Sequence, residues 1–157
     1  MTLATDNGLL EKYGVHGPRY TSYPTAPHFS TEFGQPQYIE HVTISNDNPV
    51  PKPLSLYVHI PFCNSLCYYC GCNKIVTPDK SKAEVYLDYL YREIALHSKL
   101  YNGDRLVEQV HFGGGTPNFL SVDQLEEVME VLAQHFHFGL PGNMEVGIEI
   151  DPRCVNA

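Results

Sequence analysis

Three stretches with a strand pattern, separated by two stretches with helical periodicity, constrain the fold more than any other feature of the sequence. Apolar and polar residues alternate along residues 54–60 and 144–151, and residues 106–112 have a third strand pattern. Each intervening stretch begins with a capping-box pattern, at Ser81 and at Ser121. Strands that alternate with helices pair in parallel through crossover connections. The order predicts an α/β fold with three parallel strands and two crossover helices.

Residues 1–53 have a different character from the rest of the chain. They show little hydrophobic periodicity and contain many turn-forming prolines and glycines. This composition predicts an irregular N-terminal arm, residues 1–53, followed by a β-α-β-α-β part, residues 54–157.

The charge balance narrows the classes of partner. Lys and Arg total 10 against 18 Asp and Glu, which gives a formal net charge of −8, and no basic run occurs. Nucleic acid and anionic membranes are therefore poor partners. The first residues lack a basic segment leading into an apolar one, and no apolar stretch approaches the roughly 20 residues of a membrane helix. We expect a soluble, cytoplasmic protein.

The predicted strands carry polar residues on one face. Parallel strands covered on both sides normally read as continuous apolar runs, but here Tyr57, His59 and Glu149 alternate with apolar residues. Polar groups at the carboxyl ends of parallel strands often bind ligands. The pattern is equally consistent with an uncovered face that solvent wets.

Four of the five cysteines (Cys63, Cys67, Cys70 and Cys72) lie within ten residues, directly after the first predicted strand. This spacing is too close for a spread disulfide framework and favours metal binding. A tetrahedral zinc site is one interpretation, with His59 as an alternative ligand. Structural zinc sites usually use two separated pairs, whereas an iron–sulfur cluster accommodates clustered thiolates more easily. Spacing alone leaves both interpretations open.

Two motifs make the sequence recognisable. Residues 63–70 follow the pattern C-x3-C-x-aromatic-C, and residues 113–117 read Gly-Gly-Gly-Thr-Pro. Both resemble motifs of the radical S-adenosylmethionine enzymes. The resemblance implies that Cys63, Cys67 and Cys70 hold three irons of a 4Fe-4S cluster, and that S-adenosylmethionine binds the fourth iron and yields a 5′-deoxyadenosyl radical. It also implies a radical-SAM-type (β/α) barrel.

Four further segments, residues 17–26, 54–62, 70–76 and 148–152, extend the resemblance over nearly the whole chain. They are similar to the family of oxygen-independent coproporphyrinogen III oxidases. This resemblance implies oxidative decarboxylation of coproporphyrinogen III to protoporphyrinogen IX in haem biosynthesis. It also implies two S-adenosylmethionine molecules, an electron donor to the cluster and a cytoplasmic monomer.

The haem-chaperone branch of the same superfamily is the nearest alternative, because it keeps the three cluster cysteines. Those relatives typically carry an aromatic residue where this chain has Cys72, and they lack a segment like residues 17–26. Both features favour the oxidase family.

The resemblance implies a role for six residues in binding S-adenosylmethionine. They are Tyr57, Gly114 and Glu149 for the first molecule, and Tyr69, Gly115 and Thr116 for the second. Cys72 is not implied as a ligand, and no catalytic residue is assigned. Taken without the family, Tyr57 is an ordinary strand aromatic and Glu149 a solvated carboxylate. The remaining histidines, His111 among them, are interpreted as surface or strand positions, and Cys154 as an unpaired thiol.

The resemblance implies that members of this family continue far beyond residue 157. We therefore expect these residues to form the amino-terminal part of an incomplete barrel, with an unpaired edge at the third strand. Turnover by the 157 residues alone is not expected.

Overall fold

The computed structural model describes Gly8, Glu11, Lys12, residues 28–140 and residues 142–155. Residues 17–26, which carry part of the family resemblance, lie outside these residues. The chain forms two compact units, Met1–Gln37 and Tyr38–Ala157. The second unit contains the predicted strands, helices and cysteine loop.

Part of the predicted irregular arm is helical. Helix α1 spans Gln35–Asn46 and buries only Val42. Its contacts with later residues hold it in place, since Tyr38 Oη lies 2.8 Å from His97 Nδ1 and Asn46 Nδ2 donates to the Leu100 carbonyl over 2.7 Å. Short helices depend on such tertiary contacts more than on propensity. The sequence pattern therefore did not reveal α1.

The remaining elements follow in the predicted order. Two helices lie between the strands: α2, Ser81–Ser98, and α3, Val122–His135. The strands are β1 Leu54–Ile60, β2 Phe62–Cys63, β3 Ile75–Val76, β4 Leu106–Gly114, β5 His137–Phe138 and β6 Glu145–Ile148.

The main sheet is parallel and centred on β4. Strand β1 pairs with one side of β4, while β6 pairs with the other side and β5 with its first two residues. The expected three parallel strands and two crossover helices are confirmed. The short strand β5 and the separate parallel pair of β2 with β3 were not predicted. In the described part of the chain the sheet does not close on itself.

The core lies between the sheet and the two long helices. Apolar side chains of β1 and β4 pack against one face of α2 and one face of α3, and the cluster includes Ile60, Val110, Leu87, Leu90 and Val128. Ile60 and Val110 are fully buried, and each such side chain contributes about 1.5–3 kcal/mol relative to exposure. The polar face of the sheet is thereby left on the opposite side. Among the helices that the structure describes, none combines the length and apolar character needed to cross a bilayer.

The two predicted capping boxes have different outcomes. At α3, Ser121 Oγ accepts from Gln124 N over 3.2 Å, and Gln124 Oε1 accepts from Ser121 N over 3.0 Å, so this box is confirmed. At α2 the prediction was wrong, because the residue that caps the helix end is Lys80 and its side chain makes no capping bond. Asp79 Oδ1 instead accepts from both the backbone N–H and the hydroxyl of Ser81. A carboxylate is the stronger acceptor and holds the Ser81 hydroxyl away from the helix backbone.

Candidate functional site

The glycine-rich turn after β4 packs closely against the end of β1. Gly115 N donates to the Ile60 carbonyl, and Thr116 N to the Phe62 carbonyl, each over 2.8 Å. A Cβ atom on Gly115 would lie 2.7 Å from the Phe62 carbonyl oxygen. Gly114 has φ +106°, and a Cβ there would lie 2.6 Å from the His59 ring. Gly115 therefore requires glycine because two backbone segments meet there, and Gly114 because of its positive φ and the adjacent His59 ring.

This packing brings the first cysteine next to the turn. Cys63 ends β2 and is buried, and its carbonyl accepts from Thr77 N over 2.9 Å. The Thr116 hydroxyl donates to Cys63 Sγ over 3.5 Å. The two motifs that the sequence singled out are thus in direct contact, through residues 53 positions apart.

A cleft of about 600 Å³ lies between the cysteine loop, the glycine-rich turn and the segment after β6. Seven of the nine predicted site residues line it: Cys67, Tyr69, Cys70, Gly114, Gly115, Thr116 and Glu149. Cys63 does not line the cleft, but it contacts Thr116, which does. The side chains of Tyr68 and Tyr69 are almost fully exposed, so the cleft is open toward the cysteine loop.

Tyr57, the ninth predicted residue, lies beside Glu149 on the polar face of the sheet. Both side chains cover Gly113, where a Cβ atom would lie 2.9 Å from Tyr57 Oη and 3.2 Å from Glu149 Cδ. Burial raises the pKa of the Tyr57 phenol above its usual value, and the nearby Glu149 charge adds to the effect. The structure therefore brings together a hydroxyl and a carboxylate that come from β1 and from just beyond β6.

The four loop cysteines differ in exposure. Cys63 is buried, Cys67 and Cys70 are half-buried, and Cys72 is exposed, and all four are free thiols. A hydrogen bond from the Cys72 backbone lowers the pKa of the Cys70 thiol, whereas partial burial raises that of Cys72. In residues 28–140 and 142–155, together with the three described residues before them, no three Cys, His, Asp or Glu side chains converge closely enough to hold a metal ion.

The donor chemistry nevertheless fits an iron–sulfur cluster. Thiolates are the ligands of such clusters, and Cys67, Cys70 and Cys72 line the open cleft, with the free thiol of Cys63 at the start of the same loop. Between β2 and β3 this loop has no regular secondary structure, apart from a turn in which Cys70 N donates to the Cys67 carbonyl. The alternative zinc ligand His59 has partners at both ring nitrogens: Nε2 donates to the Asn73 carbonyl over 2.9 Å, and Nδ1 lies 3.4 Å from Tyr57 Oη.

The segment after β6 makes hydrogen bonds to the start of the cysteine loop. Sequence reasoning missed these contacts. Arg153 pairs with Asp151 over 2.7 Å and donates to Ser65 Oγ over 3.2 Å. Asn64 Nδ2 donates to Cys154 Sγ over 3.1 Å, so that thiol accepts a hydrogen bond. Hydrogen bonds from Arg153 keep the pKa of the Asp151 carboxyl below its usual value. The Asp-Pro turn at the end of the third strand pattern was the one sequence feature that marked this segment, and it did not indicate these contacts.

His111, interpreted as a surface or strand position, lies among the predicted site residues. Its ring stacks on that of Tyr57 with centroids 6.0 Å apart and planes 13° apart. Its Nε2 atom lies 3.5 Å from Glu149 Oε1. Its position between the buried Val110 and Phe112 is a sequence feature that indicates the opposite face of the strand, but it gives no sign of these two contacts.

Comparisons with known proteins show which family this chain resembles. The family model of the radical SAM superfamily matches residues 57–156, a range that contains all nine predicted site residues. The chain is 49% identical over 148 residues to the oxygen-independent coproporphyrinogen III oxidase of Escherichia coli (strain K12), covering 94% of this chain and 31% of the relative. A protein of the same name from Mannheimia haemolytica is 46% identical over 147 residues, covering 94% of this chain and 96% of the relative.

A solved structure is also similar. It is that of coproporphyrinogen III oxidase from Escherichia coli, described as a radical SAM enzyme, and it matches with a TM-score of 0.76 and 46% sequence identity. The match covers 96% of this chain and 32% of that chain. This chain spans about a third of the length of the Escherichia coli relative and nearly all of the Mannheimia haemolytica one. The chain belongs to the radical SAM superfamily, in the family of the oxygen-independent coproporphyrinogen III oxidases.

Proposed function

We propose that this chain holds a 4Fe-4S cluster and S-adenosylmethionine, and that it contributes to the oxygen-independent oxidative decarboxylation of coproporphyrinogen III to protoporphyrinogen IX in haem biosynthesis. The observation that carries the proposal is the contact between Thr116 and Cys63 at the edge of the cleft. It joins a thiol loop to a glycine-rich turn in a chain that belongs to this family. The substrate follows from the names of the relatives.

In this proposal Cys63, Cys67 and Cys70 are the cluster ligands. Cys63 lies in β2, whereas the other two thiols lie on the irregular loop that follows it. Cys72 remains outside the ligand set, as an exposed thiol next to Cys70. Three thiolates leave one iron of the cluster open for a small molecule. A fourth thiolate would occupy that iron.

The same cleft would receive S-adenosylmethionine. Gly114 and Gly115 present backbone without a side chain, the Glu149 carboxylate can accept from ammonium or ribose hydroxyl groups, and Thr116 offers a hydroxyl. We assign Tyr57, Gly114 and Glu149 to a first molecule and Tyr69, Gly115 and Thr116 to a second. When bound at the cluster, S-adenosylmethionine would supply the reductive cleavage that starts hydrogen abstraction from the substrate.

We further propose that the chain forms an open (β/α) barrel, is cytoplasmic and monomeric, and receives electrons for the cluster from an external donor. The chain spans about a third of the Escherichia coli relative, and its sheet is open at β6 in the described residues. We therefore propose that these 157 residues do not complete the reaction alone. Formation of protoporphyrinogen IX from coproporphyrinogen III by the isolated chain, with reductant and S-adenosylmethionine, would contradict this point.

An electron paramagnetic resonance experiment tests the proposal. The chain is reconstituted anaerobically with iron and sulfide, reduced, and measured with and without S-adenosylmethionine. We expect a reduced-cluster signal that changes when S-adenosylmethionine is added. Cys67→Ala should lose the signal, and the matched control Cys72→Ala should keep it. A signal that S-adenosylmethionine does not alter, or a chain that takes up zinc instead, would refute the open-iron site.

A further inference from the structure

One row of residues crosses the sheet beside the cleft. Tyr57 on β1 is in register with His111 on β4, and His111 is in register with Gly147 on β6. Side chains in register on neighbouring strands project to the same face, which here is the polar face. His111 occupies the central strand of this row, with its side chain 41% exposed.

Three neighbours surround the His111 ring. It stacks on Tyr57 at a centroid distance of 6.0 Å, and its Nε2 atom lies 3.5 Å from Glu149 Oε1. On the β6 side it lies over Gly147, where a Cβ atom would come within 2.7 Å of His111 Nδ1. The absence of a side chain at Gly147 therefore makes the space in which the ring lies.

The two contacts define how the His111 ring is oriented between Tyr57 and Glu149. Nε2 is the ring nitrogen that faces the Glu149 carboxyl group, at 3.5 Å from its Oε1 atom. The stacked Tyr57 ring is held on the other side, with its hydroxyl 3.4 Å from His59 Nδ1. One imidazole thus contacts both a side chain from β1 and one from beyond β6.

We propose that His111 is a positioning residue, which holds Tyr57 and Glu149 in the orientation that binds the first S-adenosylmethionine. The inference rests on the proposed function, because Tyr57 and Glu149 are assigned there to the cofactor. His111 itself acts through these two side chains and needs no contact with the ligand.

Binding of S-adenosylmethionine by the anaerobically reconstituted chain, measured by calorimetry, tests the inference. His111→Phe keeps a ring beside Tyr57 but removes the nitrogen that faces Glu149, and we expect the dissociation constant to rise about fivefold, the effect of losing one partly exposed polar contact. His111→Gln keeps a donor at a similar reach and should bind within about twofold of the wild type. A role in packing alone would give the opposite order.

A double-mutant cycle with Glu149→Ala shows whether His111 acts through the carboxylate. In the Glu149→Ala background, His111→Phe should weaken binding no further, because the group that it positions is already gone. Independent losses that add would contradict the inference. Melting temperatures of all variants verify that each one is folded.

Gly147→Ala tests the same geometry without altering His111. The new methyl group would displace the ring from Glu149, so binding should weaken as in His111→Phe. The control is Gly103→Ala, since a Cβ there meets no atom within 4 Å. Unchanged binding in both His111→Phe and Gly147→Ala, with a wild type that binds, would overturn the inference and leave the proposed function intact. A wild type that does not bind S-adenosylmethionine would overturn both.

Discussion

The Thr116 hydroxyl donates to the Cys63 sulfur over 3.5 Å and so joins the glycine-rich turn to the first cysteine. Groups that hydrogen-bond to a metal ligand typically change metal affinity when they are removed. Thr116→Val keeps the shape of the side chain and removes the donor. We expect the reconstituted variant to lose iron to a chelator about tenfold faster than the wild type. Thr116→Ser, which keeps the hydroxyl, should lose iron at close to the wild-type rate, and equal rates for Val and wild type would show that the contact is immaterial.

Gly115 should tolerate no side chain, because its Cβ would lie 2.7 Å from the Phe62 carbonyl oxygen and 2.8 Å from the Pro61 carbonyl carbon. Both atoms belong to the backbone and have little freedom to move. Gly115→Ala should therefore lower the free energy of unfolding by about 2 kcal/mol, as overpacking typically does. Gly103→Ala, at an exposed position with open space, should change it by less than about 0.5 kcal/mol. Urea unfolding of the two variants measures the difference, and similar values would argue against the close approach.

The two serine caps should differ in energy although their sequence patterns match. Ser121→Ala removes the acceptor for Gln124 N and should cost about 1 kcal/mol. Ser81→Ala removes only a hydroxyl bonded to Asp79 at the surface and should cost less than about 0.5 kcal/mol. Urea unfolding again provides the measurement. An equal cost at both positions would mean that Ser81 caps α2 after all.

Asp151 should titrate below the usual range for an aspartate. Side-chain and backbone hydrogen bonds from Arg153 lower the pKa of its carboxyl in the folded chain. The stability that Asp151 contributes is therefore present above the unfolded pKa, about 3.9, and is lost as the pH falls through the folded value. In Arg153→Gln the folded pKa should rise toward the unfolded value. Carbon NMR of the carboxyl group follows both titrations, and an unchanged pKa in the variant would contradict the pairing.

The sequence predicted the elements whose pattern is local. Alternation revealed β1 and β6, and one of two capping boxes located the start of α3 correctly. Helix α1 was missed because its stability comes from partners such as His97, some 59 residues away. The cap at α2 was mispredicted because Asp79 competes for the serine hydroxyl. Such competition depends on side-chain geometry and not on spacing.

The residues of the candidate site also fall into two groups, those that the sequence revealed and those that it did not. The cysteine and glycine motifs were recognisable because each is continuous in sequence, and the structure brings them into contact through Thr116. His111 and Arg153 were missed because their partners come from other strands and loops. The register of β1, β4 and β6 places His111 between Tyr57 and Gly147, and Glu149 follows directly after β6.

The central claim is that three of the four clustered thiols hold an iron–sulfur cluster. Iron, sulfide and zinc content after anaerobic reconstitution tests it most directly, in the wild type, in Cys63→Ala and in Cys72→Ala. We predict about four irons and four sulfides per chain, as a 4Fe-4S cluster requires, lost in Cys63→Ala and retained in Cys72→Ala. One zinc per chain without sulfide, with both cysteines needed to retain it, would contradict the account and identify the loop as a structural zinc site.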